Sequence, residues 1–152
     1  MPDLLQQLDT LADRLETLPL AVRQEVVFQV QRFQVLLLEF NKDYLQKQGE
    51  RPDGAPISSK PYSPAYAAFK KRYGKYTNTA FVDLKFSGDF LDSFVLEYDG
   101  NLTFRIVATD KKADLLKKYG ELLGIRDTDL NDFVGQILEP EIRAFVERYV
   151  NQ

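Results

Sequence analysis

The chain has 152 residues, of which 44% are hydrophobic, and its 20 basic and 23 acidic side chains leave a net charge of only -3. This length and composition predict a single domain, residues 1–152, with its own core. No apolar run is long enough to cross a membrane and the start carries no basic signal region, so we expect a soluble protein with no membrane partner. The small net charge argues against a protein that coats nucleic acid over its whole surface.

Cysteine and histidine are both absent from the sequence. Their absence excludes disulfide bonds, thiolate nucleophiles, Ser-His relays and zinc sites built from Cys or His. The acidic segment 127–132 resembles a calcium loop, but that loop would need glycine where Asp132 stands and glutamate where Leu138 stands. Asp89 and Asp92 lie beside a turn, where capping is their expected role. We therefore predict a non-enzymatic protein with no catalytic residue, no cofactor and no metal.

Two long helices are predicted for the N-terminal part, residues 1–48. Apolar residues at steps of three and four predict the first helix, which should end near Leu18 because Pro19 disfavours the helical conformation of the residue before it. A second helix is predicted from Ala21 to Gln46, either continuous or kinked. The apolar face of the first helix consists of Leu4, Leu5, Leu8, Leu11, Ala12 and Leu15.

Residues 49–63 contain two glycines and three prolines, which predicts an extended loop or arm. A short helix should follow, with Ser63 as its N-cap and Pro64 as its first residue. Gly74 is expected to end that helix.

Basic and aromatic residues are interleaved between Gly54 and Val82, where no acidic residue occurs. One interpretation is a nucleic-acid platform over residues 60–76, on which bases stack and phosphates pair with lysines. The interpretation we favour is that the rings at helical spacing hold the helix to the core while the lysines stay in water. A third is a basic patch that docks an acidic partner. The basic residues are Lys60, Lys70, Lys71, Arg72 and Lys75, and the aromatic ones are Tyr62, Tyr66, Phe69, Tyr73 and Tyr76.

A small antiparallel sheet is predicted further along the chain. The alternation in residues 82–86 predicts a half-buried strand that breaks at Gly88. Asp99 and Gly100 predict a type I′ turn between strands at residues 95–98 and 102–107. Gly88 and Gly100 are therefore expected to be structural joints, where a residue without Cβ permits a tight turn.

The C-terminal part is predicted to be helical again. Asp110 should cap a helix that runs through Leu123, and a last helix should keep its apolar face to Tyr149 with a kink at Pro140. The fold class is therefore α+β, with long N-terminal helices, a small antiparallel sheet with a central hairpin, and C-terminal helices packing on it. Its parts are the helical front 1–48, the loop 49–63 and the remainder, 64–152.

Three segments, in their order along the chain, resemble the virion-morphogenesis proteins of tailed phages, the tail-completion or neck family. The first is PYSPAYAAFKKRYGK, in which Tyr62 to Gly74 carry the match; the second is VDLKFSGDFLDSF, and the third is YGELLG, Tyr119 to Gly124. The resemblance runs from residue 57 to the C-terminal helix. Ser87 stands where the family commonly has threonine, and the helical front, residues 2–47, is longer than in the commoner form, so the resemblance offers no guide to it.

The resemblance implies a structural protein of the virion that forms a homo-oligomeric ring, commonly a hexamer, at the head-tail junction. It implies assembly in the host cytoplasm and three kinds of partner: further copies of the chain, the portal or adaptor, and the tail-tube or tail-terminator proteins. DNA passing through the channel is a further contact it allows. Gly88 would be a conformational joint and the loop 49–63 an arm reaching a neighbouring subunit.

A ring needs two different complementary patches on each copy. We expect the first patch to be basic and to consist of Lys60, Tyr62, Lys70, Lys71, Arg72 and Lys75. The second is expected to be acidic and to consist of Glu139, Glu141 and Glu147 of the last helix. A nucleic-acid-binding protein that uses residues 60–76 is the alternative function.

Overall fold

A computed structural model describes residues 4–100 and 103–152, which form two compact units. Unit 1 comprises the chain up to Phe33 together with Thr128–Gln152, and unit 2 comprises Gln34–Asp127. The α+β class is confirmed, because helices dominate and a small antiparallel sheet accompanies them. The prediction of a single domain stays a prediction.

Unit 1 is built from long helices. Helix α1, Leu4–Arg32, packs against the C-terminal helix α7, Glu139–Val150. The hydroxyl groups of Thr17 and Tyr149 share a hydrogen bond of 2.5 Å between the two helices. At the other end of the unit the rings of Phe33 and Phe133 meet edge to face, with centroids 6.2 Å apart.

The N-terminal helices break at a different place from the one predicted. The first helix does not end at Pro19, because α1 continues to Arg32 with Pro19 inside it. Pro19 is exposed, so water can reach the carbonyl that loses its helical donor, which lowers the cost of the interruption. The break falls at Phe33, and it is followed by α2, Gln34–Asp43, and a π-helical turn, Tyr44–Gln48. The second helix is thus interrupted at Phe33 and is not continuous from Ala21 to Gln46.

The last helix passes through Pro140, as predicted. Helix α6, Asp127–Phe133, leads through a π-helical turn, Val134–Leu138, into α7. Pro140 lies in the first turn of α7. A π-helical turn changes the hydrogen-bond register of the backbone, and here it does so just before the residue that has no N–H to donate.

The predicted hairpin is confirmed in unit 2, with a longer loop. Strands β1, Phe94–Tyr98, and β2, Phe104–Ala108, are antiparallel. Tyr98 pairs with Phe104 and the N–H of Asp99 donates to the carbonyl of Thr103 at 3.1 Å, so a two-residue type I′ turn is wrong. The predicted start of the second strand at Leu102 lies outside the described residues.

The strand predicted over residues 82–86 is also wrong, because this segment is irregular. It contributes Val82 to the core of unit 2, in which Leu45 and Leu91 are almost inaccessible to solvent. Helix α2 contacts β1 in this unit, whereas α7 contacts α1 in unit 1. The core cluster consists of Leu38, Leu45, Ile57, Val82, Phe90, Leu91, Phe94, Ile106 and Leu122.

The long helix predicted from Asp110 to Leu123 is wrong. Helix α5 covers only Ala113–Leu116, and a 3-10 turn, Lys117–Tyr119, follows it. The reason is Asn41 of α2, which is fully buried, donates to the carbonyl of Leu122 at 2.9 Å and accepts from the N–H of Gly124 at 3.0 Å. These two backbone groups at the end of the segment are thus bonded by a side chain instead of within a helix.

The loop 49–63 is folded onto unit 2. Ile57 belongs to the core, and its N–H donates to the carbonyl of Gly49 at 2.9 Å. The guanidinium of Arg126 donates to the carbonyl of Pro52 at 3.2 Å and to the carboxylate of Glu50 at 2.7 Å. These contacts hold residues 49–57 against their own unit, which opposes the expectation of a projecting arm.

Two short helices complete unit 2. Helix α3 covers Pro64–Tyr73 and helix α4 covers Asp89–Asp92. Among the helices of the described residues, none is both long enough and apolar enough to cross a membrane.

Candidate partner-binding site

The start and end of helix α3 are determined by local sequence, as predicted. The hydroxyl oxygen of Ser63 accepts a hydrogen bond from the N–H of Tyr66 at 3.2 Å, and Pro64 is the first helical residue. The helix ends before Gly74, where an added Cβ would lie 2.6 Å from the carbonyl oxygen of Lys70. The close approach of backbone at this point requires glycine.

The side of α3 that is turned inward is not the one we favoured. Lys70 is 0% exposed, whereas Tyr66, Phe69 and Tyr73 are 38%, 50% and 60% exposed. Ala67, one turn before Lys70, is half-buried on the same face. The interpretation in which the rings hold the helix to the core and the lysines stay in water is therefore wrong for Lys70 and for these three rings.

Lys70 is buried because its charge has partners from elsewhere in unit 2. Its Nζ lies 2.5 Å from Oδ1 of Asp83, donates to the carbonyl of Asn78 at 2.7 Å and lies 4.9 Å from the ring centroid of Tyr62. Asp83 is buried as well and also accepts from the hydroxyl of Tyr62 at 3.0 Å and from the side chain of Asn78 at 3.2 Å. We call these four residues the Lys70 network. Lys70 is therefore wrong as an interface residue, because it has no exposed surface to offer a partner.

Tyr62 is the second predicted interface residue with a structural role. Its hydroxyl oxygen accepts the N–H groups of Asp83 and Leu84, each at 3.2 Å, while it donates to the Asp83 carboxylate. Burial, together with the neighbouring Asp83 carboxylate, raises the pKa of Tyr62 above its ordinary value. Burial likewise raises the pKa of Tyr66, with smaller contributions from Asp83 and Tyr119. Both phenols therefore stay neutral and available as donors.

The remaining predicted interface residues are exposed. Lys71, Arg72 and Lys75 lie in the last turn of α3 and just after it, and Lys60 lies in the loop before it. The guanidinium of Arg72 lies 5.3 Å from the Tyr73 ring centroid, whereas Lys71 lies on another side of the helix, about half a turn from both Phe69 and Tyr73. The ring of Phe69 packs with that of Tyr73 at 5.1 Å and stacks on Phe86 at 5.6 Å between centroids. We call this surface the aromatic-basic face; it consists of Tyr66, Phe69, Tyr73, Phe86, Arg72 and Lys75.

A cleft of about 430 Å³ borders α3. Its lining includes residues from all three segments that carry the resemblance: Tyr62, Ser63 and Tyr66 from the first, Leu84, Phe86 and Gly88 from the second, and Tyr119 from the third. Three lysines, Lys60, Lys112 and Lys118, also line it. The sequence pattern did not indicate Lys112 and Lys118; the available signal, for Lys118 alone, was its position directly before the third resembling segment.

The two predicted joints differ in their surroundings. Gly88 has φ +91° and directly precedes α4, and a Cβ there would lie 3.0 Å from the Tyr76 ring. Gly100 has φ +96° in the hairpin loop, and its Cβ would meet nothing within 4 Å. Both residues have the left-handed conformation that favours glycine, but only Gly88 is also constrained by packing.

The acidic patch expected on the last helix is partly neutralised within its own unit. Glu139 pairs with Arg143 at 2.5 Å, and Glu141 lies 3.9 Å from Arg32. Glu147 is exposed. Charge alone is therefore a weaker basis for the ring contact than the sequence indicates.

In the two described ranges, no three acidic side chains lie close enough together to hold a metal ion. Asp89 and Asp92 are both exposed on the single turn of α4. No protein-family model matches this chain, and no curated protein or solved structure gives a significant match.

Proposed function

We propose that the chain is a non-enzymatic structural protein of a tailed-phage virion, a neck or tail-completion component that joins the head portal or adaptor to the tail. The observation that carries this proposal is that the three resembling segments line one cleft. Lys70 of the first segment also pairs with Asp83 of the second. Segments that occur in this order and contact one another support treating them as one motif instead of three chance matches.

The aromatic-basic face is the proposed surface for a partner, which is a neighbouring copy in a ring or an adjoining virion protein. Tyr and Arg are enriched among residues that dominate binding energy at interfaces, because they bury a large area and also offer polar groups. The exposure of Phe69 and Tyr73, 50% and 60%, leaves apolar surface that a partner would remove from water. The flanking cations would steer an acidic partner toward this surface.

Immunogold labelling of purified particles tests the proposed location. An antibody against this chain should label the head-tail junction, and antibody preabsorbed with the purified protein should not. Particles without label at the junction would contradict the neck proposal.

Changes on the aromatic-basic face test the proposed surface. The triple variant Tyr66→Ser, Phe69→Ser and Tyr73→Ser should stay folded, because these side chains are exposed, but heads and tails should fail to join. The matched control is Leu115→Ser, since Leu115 is 73% exposed on α5. Charge reversal should be restricted to Arg72 and Lys75, because a carboxylate at position 70 would lie buried beside Asp83. If the triple ring variant and the charge-reversal variant both give normal particles, this face is excluded as the contact.

A second candidate function is binding of single-stranded nucleic acid. It is favoured by the exposure of the Phe69 and Tyr73 rings together with the nearby cations Arg72 and Lys75. Fluorescence anisotropy with an oligo-dT probe tests it, since affinity should fall steeply with salt concentration if phosphates are bound. Tight, salt-sensitive binding together with unlabelled particles would favour this function over the neck proposal.

A further inference from the structure

We propose that the cleft beside α3 is a binding site for an acidic peptide segment of a partner protein. An apolar side chain of the peptide would lie on the floor of the cleft, and its carboxylates would face Lys60, Lys112 and Lys118. This inference goes beyond the proposed function and depends on the cleft alone, so it does not require the location at a phage neck.

The floor of the cleft is apolar. Val82 and Phe90 are buried beneath it, and Leu84 and Leu116 are half-buried at its sides. The volume of about 430 Å³ is large enough for one or two side chains of a peptide. A floor of this kind favours an apolar side chain over a fully hydrated anion.

The charged groups of the cleft are mostly positive. Lys60, Lys112 and Lys118 are exposed lining residues, and Asp89 is the one carboxylate of the lining. The Nζ of Lys118 lies 5.1 Å from the ring centroid of Tyr119, which restricts where that ammonium can go. The charge complementarity therefore points to an acidic ligand.

The hydroxyl groups of the cleft add further donors. Three lining serines already accept hydrogen bonds from backbone N–H groups: Ser58 from Lys60, Ser63 from Tyr66, and Ser87 from Asp89. A hydroxyl that accepts such a bond can still donate its own proton. The cleft can therefore donate to carboxylate or carbonyl oxygens, as a bound peptide requires.

A peptide suits the cleft better than a nucleotide does. The ring of Tyr66 already packs with that of Tyr62 at 4.9 Å, and Phe86 stacks on Phe69 at 5.6 Å between centroids. Base binding depends on free aromatic faces. Because each of these rings already has a ring neighbour, an aliphatic or aromatic side chain on the floor is the better match.

Backbone strain also lies at this place. Leu84, a lining residue, has φ +57°, a conformation that non-glycine residues rarely adopt. The hydroxyl of Tyr62 accepts its N–H and helps to hold it there. Strained residues that the surrounding structure holds in place cluster at binding sites.

Selection from a yeast-displayed library of random dodecapeptides, with the full chain as bait, tests the inference. The enriched peptides should combine Asp or Glu with Leu, Ile or Phe. Their affinity for the variant Lys60→Glu, Lys112→Glu, Lys118→Glu should fall about tenfold or more, as three reversed ion pairs would cause. The matched control is Lys47→Glu, Lys111→Glu, Lys117→Glu, which changes the charge equally at exposed lysines outside both the cleft lining and the aromatic-basic face and should bind within about twofold.

Circular dichroism and urea unfolding should show that both variants are folded. The inference is overturned if no peptide is enriched, or if the enriched peptides bind the two variants equally well. It is also overturned if a dT dodecanucleotide, measured in parallel, binds and loses its affinity only in the cleft variant while no peptide binds; the site would then be one for nucleic acid.

Discussion

The pairing of Lys70 with Asp83 explains which way helix α3 faces. Periodicity assigns a lysine to the wet face because an unpaired ammonium is costly to bury. The partner that removes this cost is Asp83, which lies thirteen residues further along the chain in a segment that the sequence predicted to be a strand. One signal could have indicated the pair. Lys70 and Asp83 both lie in segments that carry the resemblance. A polar residue at such a position on an otherwise apolar face is a candidate for a buried pair.

Replacing Lys70 by methionine should cost about 3–5 kcal/mol in the free energy of unfolding, because it leaves the buried Asp83 carboxylate without its cation. Urea unfolding followed by circular dichroism measures this loss. Lys71→Met is the matched control at the exposed neighbour and should change stability by no more than about 0.5 kcal/mol. A loss at Lys70 that is no larger than the loss at Lys71 would contradict the buried network.

A double-mutant cycle separates the contribution of the ion pair to the free energy of unfolding from the contribution of the apolar stem of Lys70. Asp83→Asn alone leaves the Lys70 ammonium without its counter-charge, and Lys70→Met alone leaves the carboxylate. The double variant should therefore lose less stability than the sum of the two single variants. Strict additivity would mean that the pair contributes no coupling.

Tyr62→Phe should destabilise the protein at neutral pH by about 1–3 kcal/mol, since it leaves the N–H groups of Asp83 and Leu84 without their acceptor. It should also change the response to alkali. The pKa of Tyr62 is raised in the folded state. The contribution of its neutral phenol is therefore complete below pH 10, the ordinary tyrosine pKa, and is lost as the pH rises toward the folded-state pKa.

Urea midpoints measured between pH 9 and pH 11 test whether stability falls as the pH rises. The wild-type protein should lose more stability over this interval than Tyr62→Phe does. Tyr73→Phe supplies the comparison at an exposed ring. If the urea midpoints of wild type and Tyr62→Phe fall equally with pH, the ionisation of the Tyr62 hydroxyl is not linked to folding.

At the scale of elements, local signals predicted what local contacts determine. Ser63, Pro64 and Gly74 fix the two ends of α3 through neighbouring backbone, and the turn signal at Asp99 and Gly100 indicated the hairpin between β1 and β2. The segment 117–124 could not be predicted in the same way, because side chains far away in the chain bond part of its backbone: Asn41 bonds the carbonyl of Leu122 and the N–H of Gly124, and Arg51 bonds the carbonyl of Tyr119. The strand proposed over residues 82–86 failed for the related reason that Asp83 points into the Lys70 network instead of into solvent.

The two glycine joints offer a test of packing against conformation. Gly100→Ala should cost about 1 kcal/mol, because only the positive φ opposes a side chain there. Gly88→Ala should cost more, since its Cβ would also press on the Tyr76 ring at 3.0 Å. Thermal or urea unfolding of the two variants measures the difference. Equal losses would mean that Tyr76 moves aside freely and that Gly88 is needed for its conformation alone.

At the scale of the whole molecule, the resemblance and the contact pattern divide the chain at different places. The three resembling segments, the Lys70 network and the cleft all lie within unit 2. The helical front, for which the resemblance gave no guide, is divided after Phe33, because it supplies α1 to unit 1 and α2 to unit 2. Periodicity predicted that helical front, but the division could not be read from it, because the contacts of α1 with the C-terminal α7 join opposite ends of the sequence.

Unit 2 should therefore fold without unit 1. Every residue of its core cluster lies between Gln34 and Asp127, and so do both charges of the buried ion pair. A fragment of residues 34–127 keeps the apolar area whose burial drives folding. We expect this fragment to unfold in urea in one cooperative transition, with the same midpoint by circular dichroism and by tyrosine fluorescence.

Leu45→Asp in the same fragment is the control, because Leu45 is 0% exposed and a carboxylate there would have to be buried without a partner. This variant should show no cooperative transition. If the unaltered fragment also unfolds gradually, the core of unit 2 requires the helices of unit 1 for its stability. A cooperative transition would instead mean that the part of the chain with the resemblance, the network and the cleft is an independent folding unit, onto which the helices of unit 1 are added.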